Sequence, residues 1–306
     1  MGALQVSVGL RKVLGYGAFA TLAFAVSLYA TFPTQAVGQR LSYELRKATD
    51  GAWTVQFADF SLHRLTGVEA RGVVFKHRDE EVPQVVEVDV LRARLQLLPL
   101  LLGGVSVHSE VEVAAGTIGL QASRARSGGV ALEIVVEGVD LAASPITSFT
   151  GGVALGGVLE GTASGSWGGR IADAVGDATI KLSSAYIGPG AVAGFTVPRV
   201  EIGDVDVGVV MKAGRVEIGR FEQRGGDVVA RLSGSTALRG GMRISTVDAC
   251  VAFKPEPAFL GKNPKVRTAL DLAAVSLRKG SDGFFNVPLA GTLAGLRVRG
   301  GLCRGR

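Results

Sequence analysis

Cysteine and histidine are scarce in this chain of 306 residues: two cysteines, Cys250 and Cys303, and three histidines, His63, His77 and His108. That scarcity removes CxxC zinc modules, iron-sulfur sites and small disulfide scaffolds. Aromatic residues make up 6%, too few for a base-stacking platform, and the net charge of +6 comes from Lys and Arg spread one or two at a time among Val, Leu and Gly, condensed only at the tail in Arg297, Arg299, Arg304 and Arg306. Nucleic-acid binding is therefore not expected. Proline numbers only 10 and no G-X-Y period runs through the 44 glycines, which excludes collagen. Charged residues are 20% against 47% apolar, so the chain has enough to bury and is not disordered as a whole.

What is present begins with one long uncharged run. No charge falls between Val13 and Gln39, and residues 13–32 are 20 long, enough at ~1.5 Å per residue to cross the ~30 Å hydrocarbon layer. A transmembrane anchor is expected there, formed by Val13, Leu14, Tyr16, Phe19, Leu22, Phe24, Val26, Leu28, Tyr29 and Phe32. Tyr16, Tyr29 and Phe32 suit interfacial positions, with Arg11 and Lys12 on the near side. The run exceeds the h-region of a signal peptide, although cleavage near Thr34-Gln35-Ala36 stays open. The expected organisation is a short cytoplasmic leader (1–12), the span (13–32), a juxtamembrane amphipathic helix (33–50) and one exported domain (51–306), periplasmic in a Gram-negative cell.

Helical spacing of Val37, Leu41, Leu45 and Ala48 after Pro33 predicts that amphipathic helix, stopped by Thr49-Asp50-Gly51. Beyond Gly51 the period becomes two. Val86, Val88 and Val90 alternate with Glu87 and Asp89; Leu91, Ala93, Leu95 and Leu97 alternate with Arg92, Arg94 and Gln96; Val205, Val207 and Val209 repeat the pattern. Between Ile202 and Val205 the phase slips at Gly203-Asp204, as at a bulge. Turn signals recur every 8 to 14 residues, among them Gly103-Gly104, Ala115-Gly116, Ser127-Gly128-Gly129, Gly168-Gly169 and Gly225-Gly226. Antiparallel hairpins in series are expected, and no strand-helix-strand rhythm argues for a parallel sheet. Short helices are expected near Pro145–Phe149 and Pro255–Leu260, and residues 151–169 as a hairpin of small residues. An outer-membrane barrel is disfavoured, because a 20-residue apolar helix would stop transfer and the strands lack aromatic girdles.

Chemistry-bearing motifs are missing: no Gly-x-Ser-x-Gly elbow, Walker loop, HExxH or GxGxxG occurs. The paired glycines lack the lysine and helix start of a phosphate cradle and read as turns. The histidines fall on separate predicted strands without a cysteine nearby, so no metal is expected. Asp79-Glu80-Glu81 reads as a solvated loop. No catalytic or cofactor-binding residues are proposed. Whether Cys250 and Cys303 pair is left open by the sequence.

The stretch Val88-Asp-Val-Leu-Arg-Ala-Arg-Leu-Gln-Leu-Leu-Pro-Leu-Leu-Leu-Gly-Gly-Val-Ser-Val, ending at Val107, resembles the Leu-Leu-Pro-Leu-Leu-x-Gly motif of AsmA-like proteins. With Arg231-Leu-Ser-Gly-Ser-Thr-Ala-Leu and Gly283-Phe-Phe-Asn-Val-Pro-Leu-Ala-Gly-Thr-Leu-Ala-Gly, the order of features is similar to the protein N family of the type II secretion system over nearly the whole chain. That family often has proline after the closing Gly-Thr-Leu, where this chain reads Ala294-Gly295-Leu296. The resemblance implies a mainly β protein: an elongated, twisted antiparallel sheet behind an inner-membrane anchor, forming an AsmA-like groove or folding over, with few helices. One face would be apolar, lined by Val88, Val90, Ala93, Leu95, Leu97, Val205, Val207 and Val209. It further implies a non-enzymatic part of a secretion apparatus, docking other components of that apparatus, or else a carrier that holds phospholipid on that face.

Overall fold

The computed structural model describes residues 15–17, 19–20, 23–24, 27, 31, 33–49, 51, 53–64, 66–77, 85–144, 153–192, 195–239, 244–273, 278–293, 295–299 and 301–303. The fold is mainly β, with one large antiparallel sheet and few helices. Its spatial order is β1-β3-β4-β5-β6-β7-β8-β9-β11-β12-β13-β14-β15-β16, with β2 beside β1 on β3 and β10 on β9. The strands run β1 Trp53–Gln56, β2 Asp59–His63, β3 Gly67–His77, β4 Val85–Leu95, β5 Val105–Val113, β6 Gly116–Arg124, β7 Val130–Asp140 and β8 Val153–Trp167. They continue with β9 Val175–Val192, β10 Phe195–Val197, β11 Val200–Lys212, β12 Arg215–Arg224, β13 Val228–Ala237, β14 Thr246–Pro255, β15 Phe285–Thr292 and β16 Gly295–Val298. Apart from the short β2 and β10, neighbours in sequence are neighbours in space, as serial hairpins require.

Helix α1, Thr34–Ala48, forms where the spacing places it and packs on β1 and β2. Its inward side differs from the expected stripe. Gly38 is buried beside Phe57 and Phe60, Ser42 donates to the Val55 carbonyl at 3.3 Å, and Leu45 joins the core, whereas Leu41 is 47% exposed. Positions 38, 42 and 45 are helical neighbours, and the small Gly38 admits the two phenylalanines. Under α1 lies the cluster Val55, Ala70, Val73 and Val88, with Leu91 and Val111 against it.

Among the described residues three further α-helices, all short, follow α1. Helix α2, Leu97–Leu101, joins β4 to β5; α3, Pro257–Lys262, follows β14; α4, Pro264–Ala273, follows directly. The third answers the helix expected at Pro255–Leu260, displaced because Pro255 still pairs with Val228 in the sheet. The fourth is not anticipated by the spacing, although Asn263-Pro264 is a helix-start signal with proline at the first helical position.

Two further expectations are corrected. Residues 153–167 are a single long strand, not a hairpin: its glycines accommodate register shifts, Gly157 with φ 123 among them, instead of reversing the chain. Leu97 sits in a helix, not a strand, because Pro99 has no N–H to offer a ladder and the chain coils there before Gly103 and Gly104 turn it back. The predicted slip at Gly203 is present as register shifts on both sides of that residue, which has φ 80.

Of the expected span, Val13, Leu14, Leu22, Val26, Leu28, Tyr29 and Phe32 lie outside the described residues, while Tyr16, Phe19 and Phe24 are helical and at least 70% exposed. Among the described residues no helix is long and apolar enough to cross a membrane. The turn expected at 145–149 and the Asp79-Glu80-Glu81 loop also lie outside them.

Candidate apolar binding face

Residues directly opposite in an antiparallel ladder share a face, so the register traces each face across the sheet. One row runs Leu95, Val107, Ala122, Leu132, Gly165, Gly176, Met211, Val216, Thr236, Val247, Gly291, Leu296, from β4 to β16 without a break. The next row runs Ala93, Ser109, Leu120, Ile134, Ala163, Ala178, Val209, Ile218. A third runs Leu91, Val111, Ile118, Val136, Gly161, Ile180, Val207, Phe221, and beyond it stand Leu159, Leu182 and Val205. Ala93, Leu95, Val205, Val207 and Val209, from distant parts of the chain, thus lie on one continuous apolar face. That face is half-covered: in β8, Leu159, Ala163 and Trp167 are half-buried while Glu160, Thr162, Ser164 and Ser166 are exposed. Helix α1 covers only the β1–β2 corner, and beyond that corner Phe259 of α3 is buried.

Val88 and Val90 do not belong to this open face. The β3–β4 ladder skips the pair Gly72/Asp89, and Gly72 takes a left-handed φ of 55, which kinks the strands. Val88 and Leu91, three apart, therefore meet in one cluster under α1, a spacing that strict alternation forbids. Val90 pairs with Arg71 and Glu112 and so turns toward the polar side. Leu97, in α2, is on neither face.

The opposite side carries charge. Glu69, buried, accepts from Arg71 at 2.7 Å and Arg92 Nε at 2.9 Å and lies 3.2 Å from His63 Nδ1; Arg92 reaches on to Glu110 at 3.4 Å and to Glu112. The Arg92 hydrogen bond, then that of Arg71, holds the Glu69 carboxyl below its ordinary range, and Glu112 followed by Glu69 raises Arg92. Further along, Arg199 pairs with Glu201 at 2.6 Å, Arg215 with Glu217 at 3.0 Å and Arg220 with Glu222 at 2.8 Å. Arg220 lowers Glu222. Each pair is two residues apart, the spacing that puts both on one face of a strand, and the Arg-x-Glu pattern in the sequence was the signal for it. Arg199 also lies 3.7 Å over the Tyr186 ring, which occupies the space above Gly156 where a Cβ would collide with it.

Two open troughs lie on this polar side. One of about 660 Å³ is lined by Gln121, Ser123, Glu133, Ser164, Asp177 and Lys212 together with the apolar Ala131, Val175 and Val210 and, from the apolar row, Leu132 and Met211; one of about 430 Å³ is lined by His108, Glu110, Glu133, Val135 and Glu137. His63, His77 and His108 stand on β2, β3 and β5; His77 packs edge-on against Trp53, with centroids 4.8 Å apart. Among the described residues no group of three or more His, Cys, Asp or Glu is placed to hold a metal ion. Cys250 and Cys303 are joined by a disulfide, with Cα atoms 5.6 Å apart.

Scans against protein-family models, curated proteins and solved structures find no match for this chain.

Proposed function

We propose that this chain is an inner-membrane-anchored, AsmA-like envelope protein whose elongated, twisted sheet serves as a non-enzymatic docking component of a type II secretion apparatus. The observation that carries the reading is the apolar row running in register from Leu95 on β4 to Leu296 on β16. Fourteen strands lie along the main path of the sheet, about 60 Å at ~4.8 Å per strand. Half-covered apolar surface on this scale calls for a partner. The Leu-Pro-Leu-Leu motif and its flanking order support the secretion family, and the Cys250–Cys303 bridge suits an oxidising periplasm. Deleting the gene should trap folded exoproteins in the periplasm, and Val207→Arg should reproduce the defect with the sheet intact. Unchanged export in the deletion strain sinks the proposal.

A second reading has its own support. Ala163, Gly165, Gly176 and Ala178 are contiguous across β8 and β9 and lie low between Leu132 and Ile134 on β7 and Val209 and Met211 on β11, with the Met211 side chain reaching over the two glycines. An acyl chain fits such a strip. Photo-crosslinkers at Leu95 or Val207 would then capture phospholipid, and failure at every position on that face removes the idea.

A further inference from the structure

Helix α2 exposes what a folded chain normally hides. Leu98, Leu101 and Leu102 are 71%, 82% and 75% exposed, Leu97 and Leu100 about half, and the helix has no buried residue. Five exposed leucines within six residues form an apolar tip held at the sheet's end by Pro99 and the Gly103–Gly104 turn. A collar of positive charge surrounds it. Arg94 is the last but one residue of β4, Arg64 stands in the β2–β3 turn, Arg124 ends β6 opposite Val105, and the Arg126 side chain covers Gly103, its Cδ 3.2 Å from where a Cβ would stand. All four arginines are exposed. Residues 62–67, 94–106 and 122–131, which make this end, contain no Asp or Glu.

The course of α1 adds an independent constraint. Its first turns touch Phe57 and Phe60, and at its far end Thr49 Oγ1 accepts from the Trp53 N–H at 3.2 Å. The helix therefore runs antiparallel to β1 and β2 and starts at the end of the sheet where β2 reaches His63. The register from Gly67 to Arg94, Leu95 to Val107 and Val105 to Arg124 puts α2 and the β6–β7 turn at that same end. The N-terminus of α1 thus points toward the end of the sheet that carries α2.

We propose that α2 is a second membrane contact: its leucines dip into the headgroup region of an anionic bilayer, the arginine collar binds the lipid phosphates, and the sheet is held upright on the leaflet. An apolar tip ringed by cations without acids is the pattern of an interfacial anchor. This deepens the membrane-anchored reading and rests on it for the side on which the bilayer lies.

The test uses the full chain with phosphatidylcholine vesicles containing phosphatidylglycerol, both brominated in the acyl chains, and a genetically encoded fluorophore at Leu101 or, as control, at Gly225 at the opposite end. Quenching at Leu101 should exceed that at Gly225 several-fold, and weaken several-fold with phosphatidylcholine alone or in Arg124→Gln/Arg126→Gln. Equal, minimal quenching at both positions overturns the proposal. So does a Leu101 probe shielded from aqueous iodide without lipid quenching, which would mean that a second copy covers the tip. Alkaline extraction separates the two ideas. Protein retained with Leu101 unquenched loses the α2 contact and keeps the anchor; protein stripped after quenching was seen keeps the α2 contact and loses the anchor.

Discussion

The two margins of the sheet are secured by different means, and the stretch around Ala163, Ala178 and Val207 by neither. At the β1–β4 margin a second layer exists: α1 lies on the strands, and Val73 reaches 0% exposure with Val55, Ala70 and Val88 around it. At the β14–β16 margin the tail is bonded to the sheet. Cys303 is linked to Cys250 on β14, its N–H donates to Asn286 Oδ1 at 3.2 Å, and Phe285 stacks on Phe253 with centroids 5.5 Å apart. Between them, Ala163, Ala178 and Val207 rest on their strand neighbours, half-buried. A sheet gains a true core only where another layer covers it. The ladder needs no such layer to persist, since each strand contacts mainly its two neighbours, as in a repeat protein.

The largest break in this comparison comes from the disulfide. Cys250→Ser/Cys303→Ser releases a 53-residue loop, and loop-closure entropy puts the loss at about 4 kcal/mol. Because coupling runs strand to strand, hydrogen exchange should lose protection in β14–β16 while β3–β5 stay as they were. Uniform loss across the sheet would show that the two margins unfold as one unit.

Next in size is a paired truncation. Val73→Ala should cost about 2 kcal/mol, because the site is sealed and cannot collapse. Val207→Ala, half-buried in the middle, should cost about 1 kcal/mol. Denaturant melts of the two variants measure the difference directly. Equal losses would mean that something covers the middle as thoroughly as α1 covers the corner.

The same contrast explains what is legible in the sequence. Alternation in Val205, Val207 and Val209 locates the apolar face because a strand covered on one side alternates cleanly. The phase slip near Val90 is visible too, yet its position is not. The ladder skips at Gly72/Asp89, a cross-strand event, so Val90 lands on the polar side. Leu97 continues a period of two through sequence that coils, since Pro99 ends the ladder. The Glu69 network is out of reach because it joins side chains from four strands, whereas the Arg-x-Glu pairs are local and stand in plain view. The pairing of Cys250 with Cys303 requires knowing that the tail returns to β14.

The smallest expected effect concerns that network. Glu69 is held ionised by Arg92 and Arg71, so its carboxyl titrates below the ordinary value of 4.5. A lowered pKa in the folded state contributes stability that is fully present above the unfolded value and fades as pH falls through the folded one. Wild-type protein should therefore lose Tm faster than Glu69→Gln on acidification below about pH 4.5, the two curves converging as the carboxylate is protonated. The gap stays modest because Arg71 is 63% exposed and solvent screens the pair. A gap that persists unchanged to about pH 3 would mean that the glutamine variant fails for reasons of shape, and that the corner depends on its apolar cluster rather than on this charge.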